Sequence, residues 1–341
     1  MKKLYALLLL AGVISLLAFT RQQGQYSFIR PHGWPKPVYN FRKHPLTADK
    51  IALGRRLFSE TLLSRDNTIS CSSCHLANTA FTHIDHNLSH GIEGRIGIRN
   101  SPALMNLAWS SDLMWDGAIA HLDEQAQTPI TNPLEMDETM EHAVAKVQSK
   151  AGYRVMFDKA FGDSTVTAEQ LMQALSQFML TLVSADAKYD RVMNGSAVFS
   201  AREANGYNLF RRHCAECHKE PLFTNGEFEN NGLPADTALM DIGRMKLTGK
   251  RQDSLRFKIP TLRNVEVTYP YMHDGRFRNL QMVLFHYSDQ VQHGPTLSSR
   301  LPGKLSLSQQ EKSDIILFLK TLTDESFLKN KNYIYQTDQS L

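Results

Sequence analysis

The pentapeptide Cys-x-x-Cys-His occurs twice, as Cys71-Ser72-Ser73-Cys74-His75 and as Cys214-Ala215-Glu216-Cys217-His218, and the two copies use all 4 cysteines of the chain. Two thiols three positions apart on a helical turn can each form a thioether with one vinyl group of a haem. The histidine that follows then lies under the ring as an axial ligand to iron. A four-cysteine zinc site or a pair of disulfides would also suit Cys-x-x-Cys. A zinc ribbon has no need of a histidine directly after each pair, so the pattern points to two covalently bound c-type haems. With every thiol committed, no disulfide stabilises the fold, and the core must be organised largely around the porphyrins.

Each motif needs elements to hold it. A chain of 341 residues, 42% hydrophobic and 21% charged, can bury one large core or two ordinary ones, and two haems imply two domains. Helix signals dominate. Leu171, Leu175, Phe178 and Leu182 mark one apolar face between Thr167 and Ser184, while Ser200-x-x-Glu203 and Ser308-x-x-Glu311 read as capping boxes that open two more helices. Strand-like alternation is scarce. The expected fold is therefore mainly α, two cytochrome c-like domains, each built of helices and long loops around one c-type haem. Residues 81–102 and 219–256 carry many Gly, Asn and Asp and are too long for idle connectors. Such loops are expected to wrap the haem and supply its second axial ligand.

An internal repeat relates the two motifs. Ala52-Leu53-Gly54-Arg55-Arg56-Leu57-Phe58 aligns with Ala204-Asn205-Gly206-Tyr207-Asn208-Leu209-Phe210, and an Arg-Asn pair follows each haem motif, Arg99-Asn100 and Arg263-Asn264. Further on come Trp115-Asp116-Gly117 and His273-Asp274-Gly275, each with a leucine at the same offset, Leu122 and Leu280. The chain divides into a signal peptide or N-terminal anchor at 1–20, an extension at 21–44, domains at 45–190 and 191–327, and a tail at 328–341. Met1-Lys2-Lys3 followed by an apolar run from Leu4 to Phe19 has the make-up of a secretory signal and is short for a membrane span. Haem attachment outside the cytoplasm agrees with it, so a periplasmic protein with a cleaved signal is expected, an uncleaved anchor being the alternative. A net charge of +4 without Lys/Arg blocks argues against nucleic acid as a partner.

From about Pro45 to Phe327 the chain resembles the bacterial dihaem cytochrome c peroxidase family, including its MauG-type branch. The resemblance rests on motifs in family order: the two Cys-x-x-Cys-His sites, Arg99-Asn100-Ser101-Pro102, Trp115-Asp116-Gly117, the segment Gln125 to Glu135, and Pro260-Thr261-Leu262-Arg263-Asn264 running into Tyr269-Pro270-Tyr271-Met272-His273-Asp274-Gly275. It implies a peroxide site at the N-terminal haem and an electron relay at the C-terminal haem.

Cleavage of a peroxide O–O bond needs a group that takes a proton from one oxygen and returns it to the other. Gln125 and Glu135, ten residues apart with Pro129 and Pro133 breaking the helix between them, match the family's distal pair. Glu135 is implied as the acid/base and Gln125 as the group that orients peroxide. Read by itself, Glu135 is a surface carboxylate near a helix starting around Asp137. His90 lies where many family members place a removable sixth ligand. The interval from His90 to Arg99 is longer here by about two residues, His83 and His86 lie close by, and a solvated loop histidine is the alternative.

Tyr287 falls thirteen residues after Asp274, where the peroxidases use methionine and the MauG-type branch uses tyrosine. A phenolate is a hard anionic donor that stabilises ferric iron, whereas a thioether raises the potential. Tyr287 as a core aromatic, with Met282 or Met272 as ligand, is the other reading. Trp115 resembles the tryptophan that carries electrons between the irons, although Ala118 stands where the family has an arginine. The resemblance also implies a calcium ion held by the side chain of Asn100 and the main-chain carbonyls of Thr268 and Pro270. Taken alone, these are turn and strand-end residues.

The function expected first is reduction of hydrogen peroxide to water, with electrons from a small donor cytochrome or cupredoxin entering at the C-terminal haem and passing through Trp115 to the iron held by His75. The alternatives are a MauG-type oxidase acting on a partner protein's aromatic residues, and a dihaem electron carrier without catalysis. A homodimer is a further expectation from the resemblance.

Overall fold

The computed structural model describes residues 26–301 and 303–334, so the expected signal segment, the first residues of the extension and the end of the tail lie outside it. The fold is mainly helical with one small sheet. Among the described residues, six helices run ten residues or longer: α1 (Ala48–Phe58), α2 (Met140–Ser149), α3 (Ala151–Phe161), α4 (Ala168–Leu180), α5 (Ala201–His213) and α6 (Gln309–Lys320). The sheet is a single antiparallel pair, β1 (Phe228–Glu229) and β2 (Phe257–Lys258).

The caps begin where the sequence places them. Ser200 and Ser308 each accept from the backbone N–H of a glutamate three residues on, which reaches back to the cap in turn. Thr167 and Gln170 form the same reciprocal box at α4, a signal not singled out in the sequence. The apolar face of α4 ends at Leu180, and Leu182 lies beyond it, fully buried.

Two hydrophobic clusters organise the chain, one centred on α1 and α4 and the other on α5 and α6. Each helix that precedes a haem motif crosses its partner at a glycine. A Cβ on Gly54 would strike Ala174 O and lie 3.0 Å from Phe178 Cβ, and one on Gly206 would strike Asp314 O and lie 3.0 Å from Phe318 Cβ. Around each crossing sits a triad of phenylalanines. Phe58, Phe81 and Phe178 have ring centroids 5.2–6.5 Å apart, and Phe210, Phe223 and Phe318 are 5.0–6.3 Å apart. Each such aromatic pair adds roughly 0.5–1.5 kcal/mol beyond the burial itself.

The repeat differs from the sequence alignment at one place. Asn264 takes a backbone bond to Leu322 O and accepts from Asp324 N, both across to the end of α6. Its counterpart by these contacts is Asn106, which donates to Leu182 O and accepts from Ser184 N at the end of α4. Arg99-Asn100 is therefore not the partner of Arg263-Asn264; Met105-Asn106 is. Both asparagines have a positive φ, 58° and 56°, and stand ten residues before the aspartate of the Asp-Gly turn. Pro129 also differs from expectation. It sits within the first turn of the short helix Gln127–Thr131, where its missing N–H costs nothing, and the helix stops before Pro133.

Candidate haem sites and the space between them

All four thiols are free, and among the described residues no three His, Cys, Asp or Glu side chains converge as a metal cluster. Neither the disulfide nor the zinc alternative is built. Cys71–Cys74 is one helical turn, with Ser70 and Ser73 closing its N-terminus reciprocally. The second motif leaves the C-terminus of α5 at Cys214. Burial pushes the thiols of Cys71 and Cys214 up to about 12 and that of Cys74 up to about 11.

The two histidines are held alike. His75 Nδ1 lies 2.7 Å from Phe81 O, and His218 Nδ1 lies 3.2 Å from Phe223 O and 3.1 Å from Pro260 O. A ring nitrogen facing a carbonyl must carry the proton, so Nε2 is the free electron-pair donor in both. Burial pushes His75 down to about 4 and lowers His218 as well, which keeps both rings in the neutral form that binds metal. Phe81 and Phe223 have positive φ values of 62° and 54°, and this turns each carbonyl toward its histidine. Sequence reasoning missed this device; its signal is the Phe-Thr pair that follows each haem motif.

A cavity of about 350 Å³ runs between the halves, its wall including Gln125, Trp115 and Asn100 from the first and Cys214, His218 and Tyr287 from the second. Gln125 and Glu135 are not brought into contact. Gln125 Nε2 approaches Met114 Sδ at 3.8 Å. Glu135 faces the first motif: Asn132 Nδ2 donates to its Oε1 at 2.8 Å, its carbonyl accepts from Ile92 N at 2.8 Å, and its charge acts on Cys74 and Cys71. Burial raises its pKa against the Asn132 hydrogen bond, which lowers it. The neighbouring Glu138 is a structural acid instead, bound to Lys146 at 2.6 Å and His142 at 3.0 Å.

His90 stacks on His86, ring centroids 3.9 Å apart at 12°, and its carbonyl receives the Cys74 thiol at 3.4 Å. The stack lies outside the wall of the central cavity among the described residues. Tyr287 opens the other way, into the cavity that His218 lines. Burial pushes its hydroxyl up to about 12, with Asn231 Nδ2, 3.3 Å from Oη, acting in the opposite sense. Met272 lines the same cavity, whereas Met282 is exposed.

Trp115 is tied to both halves. Its Nε1 donates to Asn100 O at 2.8 Å, its carbonyl accepts from Lys258 N at 2.7 Å, and Asn100 N donates to His273 O at 2.7 Å. Where Ala118 leaves no arginine, Arg244 comes from the second half and donates to Asp116 O at 2.7 Å. Arg99 closes the junction, bridging Asp116 at 2.7 Å and Asp241 at 2.6 Å. Asn100 Nδ2 donates to Asn87 O at 3.0 Å, which leaves Oδ1 as its free acceptor, and Thr268 and Pro270 line the same cavity as Asn100.

Residues 48–198 match the family described as Di-haem cytochrome c peroxidase. The methylamine utilization protein MauG of Methylorubrum extorquens is 34% identical over 94% of this chain and 91% of that protein. The chain belongs to the di-haem cytochrome c peroxidase family. Cytochrome c551 peroxidase of Nitrosomonas europaea is 36% identical, covering 82% of each chain. A MauG-like protein associated with microbial copper homeostasis superposes with a TM-score of 0.82 at 30% identity, over 90% of this chain and 98% of that one.

As a member of this family the protein is a peroxidase-type oxidoreductase with haem as its cofactor. The residues present fit that group. Each motif offers two thiols, a neutral imidazole with Nε2 free, and neighbouring apolar side chains such as Phe58 beside His75 and Leu284 and Ile315 in the His218 cavity.

Proposed function

We propose that the protein reduces hydrogen peroxide, two electrons and two protons converting one peroxide into two waters. In this reading Cys71, Cys74 and His75 hold the N-terminal haem, and Cys214, Cys217 and His218 the C-terminal haem, both through thioethers. The haems supply the irons that exchange electrons with peroxide and store them between turnovers. The chain supplies the rest. Glu135 takes the proton from the near oxygen of peroxide and returns it to the leaving oxygen, while Asn132 holds its Oε1 in place. Gln125 orients the peroxide with its amide. Electrons from a small donor, a cytochrome c or a cupredoxin, enter at the C-terminal haem and cross through Trp115. Asn100 with its free Oδ1, Thr268 and Pro270 would be the residues to hold a calcium ion, which would supply oxygen-coordinated charge beside the crossing, with the protein exported to the periplasm.

The observation that carries this reading is Glu135, a desolvated carboxyl with a raised pKa set against the first Cys-x-x-Cys-His turn. Glu135→Gln is expected to retain both haems, measured as porphyrin absorbance per chain, and to lose about 10²–10⁴-fold in peroxide turnover. An unchanged rate removes Glu135 from the mechanism.

A second reading, a MauG-type oxidase that takes two electrons from a partner protein's aromatic residues, is favoured by Tyr287 in the wall of the His218 cavity. Two-electron oxidation of such a partner, with no turnover in an assay with donor cytochrome, decides for it.

A further inference from the structure

Asn231 lies in the long loop after the second haem motif and meets two side chains at once. Its Nδ2 is 3.3 Å from Tyr287 Oη and 3.5 Å from Met272 Sδ. The amide orientation is fixed from its other side, because Leu233 N donates to Oδ1. Its backbone is fixed as well, with His286 Nε2 3.1 Å from the Asn231 carbonyl. Consecutive residues on an α-helix point about 100° apart and cannot ordinarily reach one partner. Here the chain widens into a single π-helical turn, His286–Gln290, and His286 and Tyr287 both address Asn231.

The first half gives the comparison. Met114 and Met272 both precede the Asp-Gly turn by two residues with a positive φ, 67° and 75°, and each takes an amide N–H on its sulphur, from Gln125 and from Asn231. Asn231-Gly232 follows Phe223-Thr224 much as His90-Gly91 follows Phe81-Thr82. Asn231 thus stands, in the second half, in the loop position that His90 takes in the first. An N–H donated to Tyr287 Oη fixes where that oxygen points, and oxygen is a hard donor that suits ferric iron. The second N–H holds the Met272 sulphur to the amide.

We propose that Asn231 is the positioning residue that sets the sixth ligand of the C-terminal haem, presenting Tyr287 Oη to the iron and holding the Met272 sulphur back. The proposal rests on reading Tyr287 as that ligand, and Tyr287→Phe tests that reading separately.

The experiment is ferric EPR and redox titration of the dihaem holoprotein carrying Asn231→Leu, with Asn231→Asp as the second variant. Asp keeps the acceptor for Leu233 N and replaces the donor by a charged acceptor oxygen. Both variants are expected to replace the tyrosinate signature of one haem by a methionine–histidine signature and to raise the reduction potential of that haem alone. Adding Met272→Leu is expected to abolish the new signature. Variants with the wild-type spectrum and potential overturn the positioning role if Tyr287→Phe does change the signature. If Tyr287→Phe leaves the spectrum unchanged, Tyr287 is not the ligand, and the proposal falls with that reading.

Discussion

Around the first haem motif the facing side chains are ionisable and face an open loop: Glu135 on its Asn132 support, with the stacked rings of His86 and His90 close by. In the wall of the cavity beside the second motif, Asn231 is bonded to Tyr287 and Met272, three neutral side chains, with Arg300 and Glu229 acting on Cys217 from the same wall. The frames beneath are nearly the same, with a glycine crossing, a phenylalanine triad, an asparagine corner and a phenylalanine carbonyl on the histidine in each half. The frame holds one imidazole in each half, and the side chains around the two imidazoles differ. The frames differ too: α2 and α3 lie between α1 and α4, no helix of that length lies between α5 and α6 among the described residues, and Arg263 stands where the first half has Met105.

The comparison can be broken most strongly at Arg263, which takes the place of Met105 in the repeat. Arg263 is fully buried and paired with Asp190 at 2.8 Å. Arg263→Met is expected to cost about 3–5 kcal/mol in urea unfolding of the holoprotein, because Asp190 is left as an unpaired charge, and Asp190→Leu added to it should recover most of the loss. If the single change is harmless, the ion pair is not what distinguishes the two corners.

Gly54→Ala and Gly206→Ala come next. Each puts a methyl against a carbonyl of the partner helix, and each is expected to destabilise by about 1–3 kcal/mol by the same unfolding measurement. Unequal losses would show that the two crossings are less alike than their contacts. Thr167→Ala and Ser308→Ala, at the two matching capping boxes, should each cost about 1 kcal/mol.

The last effect is a slope with pH. Glu135 holds its proton more tightly in the folded protein than unfolded. Between the unfolded and the raised folded pKa the native state binds more protons, so stability contributed by this group falls as pH rises through that window. Unfolding curves of wild type and Glu135→Gln should therefore diverge in favour of Gln as pH increases from below the ordinary carboxylate range, and parallel curves would place Glu135 in a solvated setting.

Much of the frame was legible in the sequence because caps, apolar periodicity and the Cys-x-x-Cys-His turn are local. Ser200 and Ser308 open their helices through contacts three residues long, and the like box at Thr167 was as local but was passed over. The Arg-Asn misalignment arose because two like dipeptides are chemically stronger signals than Met105-Asn106, although the backbone corner uses only the asparagine. Asn231 was not legible at all: its contacts to Met272 and Tyr287 span 41 and 56 residues and exist only where a loop meets a π-helical turn. Arg244 likewise reaches the Asp116 carbonyl across 128 residues.

The most direct test of unlike sites on a duplicated frame is quantitative low-temperature EPR of the ferric holoprotein, recorded before and after adding cyanide as a small iron ligand. Two spins per chain with different signatures, only one of which cyanide shifts, is the predicted result. Fewer than two haem spins, two equivalent signals, or two signals that both ignore cyanide would contradict it.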